Sequence, residues 1–526
     1  MDYNKLENES INRLIVRYAI PATVGMLVSG IYTVVDGIFV GNYVGSYGLA
    51  SIAFAWPFLI SIYGIGIMFG LGGATLISIN LGMKNKDEAE KILSTTFLYM
   101  IIVSAIIMLT GMPITEILLK IIGAKGIYFT EALNYSSIFI YGAIITLSTV
   151  AFDSLVRNDG FPTKAMYAMT TGAILNIILD GLFIAILGYG IMGAAIATLL
   201  SQSVVFIIYL EHFLCGKSNL RLKLFEKFDK TKNNTINSVK DDINTKNNDK
   251  NNKNNDKQDI TDNFKDNIKD NIKDNIKDNL KYKPLNNYKN KKEEIMDSLK
   301  NVHTVKKIAF AGFPGFLGEF AFALLVFIHN IQFLAYGTSL DVSAFGTVSY
   351  VSGLAFFVIY GVSLGVQPLI SYNYGADKIE RVREIFKKAS LINLALGLVI
   401  YAIVNIFAEL LVRLFNSSDL LFINTSMFGL KIHSIYFIIV GVTLISITYF
   451  QSVYKYKTSV FLMLSRSTIF LIPLILILPQ YYGVTGIWYA MPIAEYIALV
   501  VSLILVKRHL FDSKTFNKSE IKHVDE

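Results

Sequence analysis

Long apolar runs recur along this chain with a spacing that few folds can accommodate. About twenty apolar residues carry an α-helix across the hydrocarbon core of a bilayer, and a membrane leaves the backbone only helices or closed barrels in which to satisfy its hydrogen bonds. Twelve such runs fall at about 15–40, 54–80, 92–112, 132–155, 166–187 and 191–213, then 308–334, 344–370, 389–412, 427–451, 459–478 and 484–506. They are too long for barrel strands and read as transmembrane helices. Composition agrees: 53% of the 526 residues are hydrophobic and 17% charged, with a mean hydropathy of +0.49, outside the balance of soluble domains. The N-terminal MDYNKLENESINRLIVRYAIP lacks the short apolar core and cleavage site of a signal peptide, so it is expected to stay as the start of the first helix.

Lys and Arg gather in alternate loops: Lys84, Lys86 and Lys91; Arg157 and Lys164; a long central tract; Lys378, Arg381, Arg383, Lys387 and Lys388; Lys455 and Lys457. Basic loops stay on the cytoplasmic side, so both termini and the tract are expected inside a bacterial or archaeal plasma membrane. The net charge of +8 therefore says nothing of nucleic acid, whose binding would need bases interleaved with aromatics on a folded face. One cysteine, Cys215, excludes an intrachain disulfide and reads as a small residue at a helix end.

A shift of 293 residues lays LGGATLISINLG (71–82) on LGVQPLISYNYG (364–375), Pro21 on Pro314, and YGIMG (189–193) on YGVTG (482–486). The chain is an internal duplication. Each repeat holds six spans, an even number, so both enter the membrane the same way. The fold expected is an all-α integral membrane protein of twelve transmembrane helices, two six-helix repeats related by a pseudo-two-fold along the membrane normal. The N-terminal lobe is placed at 1–215 and the C-terminal lobe, with a short tail, at 306–526. Between them, 216–305 is an Asn/Lys/Asp-rich cytoplasmic linker containing the five tandem tetrads DNFKDNIKDNIKDNIKDNLK (262–281), a composition that reads as a disordered tether.

Within the fifth run, NIILDGLFIAIL (176–187), Asp180 follows Asn176 by four residues on one helix face. A carboxylate at membrane depth costs about 2.5 to 3.5 kcal/mol even on lenient insertion scales, so it points to a function. The repeat sharpens this, because Asp180 falls on Pro473, Asn176 on Ile469, Thr198 on Met491 and Asp36 on His329: the halves share a frame but not an acid. The sixth run adds a stripe of Ala194, Thr198 and Gln202. The first places Asp36 after Pro21, a residue expected to kink the helix. Two carboxylates, an amide and a hydroxyl supply oxygens for a hard cation such as Na⁺, or for a proton. Other ionisable groups at membrane depth are Asp153, Glu319, His329 and Glu495. Asp153, Gln202, Glu319 and Glu495 are candidates for substrate binding or coupling, His329 reads as a satisfied interior group, and Arg466 is expected to snorkel to the cytoplasmic face.

IPATVGMLVSGIYTVVDGIFVGNYVG (20–45), RNDGFP (157–162), NIILDGLFI (176–184) and GIMGAAIAT (190–198) together resemble the multidrug and toxic compound extrusion (MATE) family, closest to its bacterial multidrug branch. The resemblance spans all twelve runs and stops at the central tract. It implies two six-helix lobes in a V, open alternately to either side, exporting amphipathic and often cationic compounds against inward Na⁺ or H⁺. It also implies that Asp36, Asn176, Asp180 and Thr198 form the N-lobe cation site. Asp153 stands where the family often has Asn.

The function expected is therefore secondary antiport with Na⁺ or H⁺ as coupling ion and no cofactor. Its partners are amphipathic small molecules and the lipid bilayer, and the state expected is monomeric. An ATP-driven pump is excluded within this chain, because CGKS (215–218) has Glu211 where a phosphate-binding loop requires glycine. A flippase for a lipid-linked precursor is the alternative, and it would favour a cationic cavity where membrane-depth acids here outnumber bases. A receptor or scaffold reading fits poorly with an acid site confined to one of two duplicated halves.

Overall fold

The computed structural model describes residues 4–215, 218–222, 302–416 and 419–512. The tandem tetrads lie outside them. Among the described residues, eleven helices are long and apolar enough to cross a membrane, and a pair bent by 64° supplies the twelfth span. In the N-terminal lobe these are α1 (Ile11–Tyr43), α2 (Ser46–Gly82), α3 (Lys86–Ile122), α4 (Ile127–Tyr141, then Ala143–Asn158), α5 (Pro162–Asp180) and α6 (Gly190–Leu214). In the C-terminal lobe they are α7 (Val302–Tyr336), α8 (Ser339–Gly375), α9 (Ile379–Ile406), α10 (Leu420–His433, then Phe437–Ser452), α11 (Tyr456–Leu464, then Leu471–Tyr482) and α12 (Val484–Val506). A short helix, Asn4–Asn8, precedes α1.

The spans extend past their apolar runs because polar residues continue the helix and cap it. Asn85 accepts the Glu88 N–H at 3.2 Å to start α3, and Thr338 with Asp341 forms a capping box at α8. Helix α1 runs unbroken through Pro21, which removes one hydrogen bond from the ladder without ending the helix.

The duplication is legible in the backbone. The turns after α2 and α8 are one turn built twice: Lys84 at φ 62° and Asp377 at φ 57° both adopt the left-handed conformation. The following N–H groups of Asn85 and Lys378 return to the carbonyls of Asn80 and Asn373 at 2.8 and 2.9 Å. Within the N-terminal lobe α2 packs on α3 and α4, and α1 on α5; within the C-terminal lobe α10 packs on α8 and α9, and α11 on α12.

The lobes meet at the end of the bundle that carries these basic turns. Helix α8 lies along α1 and α2, and glycines let backbone touch backbone. A Cβ on Gly82 would strike the Tyr372 carbonyl, and one on Gly375 the Ile79 carbonyl. Those two contacts exchange under the repeat shift, so the pseudo-two-fold axis passes between Gly82 and Gly375. Farther in, Gly72 abuts Ile308 and Gly312 just as Gly365 abuts Ala19. A buried amide network locks the same seam. Asn158 donates to Gln367 Oε1 at 2.9 Å and accepts from Ser78 at 2.6 Å, while Gln367 donates to Thr75 at 2.9 Å.

Candidate cation site and central cavity

Beyond the seam, a cavity of about 290 Å³ opens between the lobes. Tyr32, Tyr63, Phe356, Phe357 and Tyr360 give it aromatic walls, and Asp153 and Glu319 place a carboxyl group on it from opposite lobes. Among the described residues lining it there is no Lys or Arg.

Asn176 and Thr198 line its N-terminal wall, with Asn176 Nδ2 3.4 Å from Thr198 Oγ1. One turn beyond Asn176, Asp180 is 0% exposed, and neither of its carboxylate oxygens has a hydrogen-bond partner. Asn176 Oδ1 and Asp36 Oδ1 are likewise buried and unpartnered, and Asp36 lies near enough to Asp180 to interact with it electrostatically. The packing of α1 along α5 creates this adjacency. A buried polar oxygen without a partner is costly, and a buried carboxylate more so, unless a proton or a cation joins it. Asp36 on α1, Asn176 and Asp180 on α5 and Thr198 on α6 thus present oxygens of the kind that suits a hard cation. Immediately after Asp180 the helix widens into a π-helical stretch, Gly181–Ile186, a departure that is frequent at functional sites. No sequence periodicity announced it.

Asp153 differs. Arg157 grips it through Nε and Nη2, both at 2.9 Å, and Tyr209 donates to it at 3.0 Å. Its charge is compensated within the N-terminal lobe although it lines the cavity. Gln202 is equally satisfied, accepting from Thr146 at 2.8 Å and donating to Tyr63 at 3.0 Å. Arg157, Tyr63 and Tyr209 are site residues that the sequence reading did not single out. Tyr209 continues the stripe of Thr198 and Gln202, and that spacing was the available signal.

Glu495 lies elsewhere. It is fully buried in the C-terminal lobe and paired to Arg466 at 3.0 Å; neither lines the cavity, but the Arg466 guanidinium lies over the ring of the cavity residue Phe356, 5.8 Å from its centroid. Arg466 does not snorkel to a membrane surface as expected, because this carboxylate holds it inside at 7% exposure. His329 is satisfied on one nitrogen only, Nδ1 lying 2.9 Å from the Leu325 carbonyl while Nε2 is unpartnered. It stacks on Phe345.

Outside the spans, the RNDGFP turn closes on Asp159, which bonds His212 Nε2 at 2.8 Å and the Asn219 N–H at 3.1 Å. Burial pushes its carboxyl above the usual range, opposed by the His212 bond. The N-terminal lobe thereby continues past 215, with Leu220 buried.

A model of the MatE family matches residues 21–182 and 314–477, two copies whose starts, Pro21 and Pro314, are separated by the repeat shift. The multidrug export protein MepA of Staphylococcus saprophyticus subsp. saprophyticus is 23% identical over 98% of this chain and 97% of its own length. Its namesake in Staphylococcus aureus is 22% identical over the same shares. Among solved structures, a MATE protein in complex with MaL6 superposes with a TM-score of 0.80 at 20% identity, covering 99% of this chain and all of the other. An outward-facing MATE family transporter of the MOP superfamily gives 0.79 at 21% identity, over 99% and 98%. With the family model matched over more than half its length and the twelve-helix fold shared end to end, this chain belongs to the MATE family of multidrug efflux transporters and is a membrane transporter, not an enzyme.

Proposed function

We propose that the protein is a secondary antiporter that exports amphipathic, often cationic compounds in exchange for Na⁺ or H⁺. The observation that carries this reading is Asp180, buried at membrane depth with both oxygens unpartnered, beside Asn176 and Thr198 at the cavity wall. A carboxylate so placed takes up a cation or a proton, and cargo and coupling ion then compete for one lobe's electrostatics. The names of the MepA relatives support a multidrug cargo. The basic end is the cytoplasmic end, so the closed seam leaves the cavity facing outward from a plasma membrane with both termini inside. The functional unit is the monomer, since each chain holds both lobes and the cavity between them. A phosphate-bearing lipid precursor would meet Asp153 and Glu319 in that cavity and no lining Lys or Arg, which disfavours a flippase. The linker acts as a tether outside the transport machinery. The test is efflux of ethidium from proteoliposomes with the Na⁺ and pH gradients imposed independently. Efflux driven by either gradient alone identifies the ion; efflux indifferent to both overturns antiport.

A further inference from the structure

The short helix Asn4–Asn8 belongs by sequence to the N-terminal lobe, because it leads directly into α1. Its polar contacts lie on the other lobe. Glu7 pairs with Lys378 Nζ at 3.0 Å and accepts from the Tyr372 hydroxyl at 3.3 Å. Arg381 Nη2 donates to the carbonyls of Leu6 at 3.1 Å and Glu9 at 3.0 Å. Carbonyls at a helix C-terminus have no intrahelical donor, and a guanidinium placed there satisfies them and complements the helix dipole. Arg381 is itself held by Asn373 Oδ1 at 3.0 Å, and Leu6 is buried at 3% exposure. The segment therefore crosses the seam at its outer edge, with an apolar anchor, an ion pair and a capped end.

We infer that residues 4–9 form a latch, with Glu7, Lys378 and Arg381 as its positioning residues, that holds the lobes together at the basic end and must release before the cavity opens there. The inference rests on the alternating-access reading above. The Glu7–Lys378, Glu7–Tyr372 and Arg381–carbonyl contacts join one lobe to the other and do not survive separation, so their free energy enters the equilibrium between the two openings directly. The Glu9–Arg17 pair lies within the N-terminal lobe and is kept. The seam glycines and the Asn158–Gln367 bond act at membrane depth, whereas the latch is at the surface. Salt weakens such surface pairs.

The test uses the full chain with Cys215→Ser and a reporter cysteine at Ser371, a fully buried seam position. The readout is its rate of labelling by a water-soluble maleimide. Glu7→Gln and Arg381→Gln are each expected to raise the rate about two- to fivefold, the scale of a partly exposed charged contact, with a smaller increase at high salt. Glu7→Lys should raise it further, and Glu7→Lys with Lys378→Glu should bring it back. Asn158→Ala serves as a seam control. Labelling that rises in the control but not in the latch variants overturns the latch and leaves alternating access standing. Labelling that rises in none of them, the control included, removes both.

Discussion

Asn158, whose side chain bonds Gln367 of the opposite lobe at 2.9 Å, is the residue next to Arg157, whose guanidinium grips the cavity carboxylate of Asp153. The end of one helix therefore carries both a wall of the cargo cavity and a bolt of the seam beneath it. Asp153 is thereby connected to the seam through the Arg157 side chain and one peptide unit.

Removing one side of that bolt should cost more than removing both. Gln367→Leu leaves one buried Asn158 amide hydrogen without its acceptor, although Ser154 and Ser78 still hold the side chain, and is expected to destabilise closure by about 1 kcal/mol, while Asn158→Leu with Gln367→Leu recovers part of it. A double-mutant cycle on reporter labelling at Ser371 measures the coupling, and additive single effects would contradict it.

Asp180→Asn is expected to fold and insert as the parent does yet lose ion-driven efflux. The amide is close in size and keeps hydrogen bonding, but carries no charge and exchanges no proton near neutral pH. Ethidium efflux and ion-dependent thermal stabilisation, compared with Asp36→Asn, provide the check. Full efflux with parental ion dependence would reduce Asp180 to a structural group.

Glu319→Gln should change which compounds are exported more than it changes ion dependence. Glu319 lines the cavity from the lobe that lacks the Asp36–Asp180 pair, whereas Asp153 is occupied by Arg157. Cationic cargo is expected to lose about tenfold in affinity with neutral cargo little affected, on the scale of a charged contact. Equal loss for both, together with lost ion binding, would place Glu319 in the coupling machinery.

Arg466→Met should destabilise the protein by about 3 to 5 kcal/mol, since it leaves the Glu495 carboxylate buried and alone. Arg466→Met with Glu495→Met should restore most of that stability. Ion-driven transport in the double variant should persist, because neither residue lines the cavity, with cargo preference changed only as far as Phe356, the cavity aromatic on which Arg466 packs, shifts. Thermal unfolding in detergent and efflux from vesicles read the two effects separately.

The latch should be flat in strength between about pH 6 and 8. The hydrogen bond from Lys378 holds the Glu7 carboxyl below the usual carboxylate range, so its contribution is complete above the ordinary value near 4.3 and fades only as pH falls through the lowered one. Tyr372, Arg381, Lys84 and Glu9 complete its surroundings. Reporter labelling at pH 6 and 8 with Na⁺ held constant is the measurement; a steep change that Glu7→Gln abolishes would contradict it.

The sequence carried the span count, the repeat and its register, because hydrophobic length and a fixed shift survive in composition. It carried the Asn176–Asp180 face for the same reason, as helix periodicity needs no tertiary information. It could not show that Asp153 is paired with Arg157 while Glu319 lines the cavity with no ion pair among the described residues. That distinction depends on where the Arg157 guanidinium turns, and on Tyr209 arriving from α6. Arg466 was misjudged because a long basic side chain near a span end usually reaches for water, and the partner that keeps it inside, Glu495, lies 29 residues away on another helix. The latch was invisible for a similar reason, since Glu7 and Lys378 are joined only once the two lobes close.

The reciprocal contact of Gly82 with Tyr372 and of Gly375 with Ile79 has a consequence for how such a chain can evolve. After a gene duplicates, each copy ordinarily drifts on its own, and the Asp36 and Asp180 carboxyls here stand in one copy alone. On the symmetry axis that independence ends, because each glycine faces the counterpart of its own neighbourhood. A side chain gained by either copy meets the same wall, so Gly82→Ala and Gly375→Ala should cripple the transporter to a similar degree. Two halves that have otherwise parted company remain bound to a common fate where they touch.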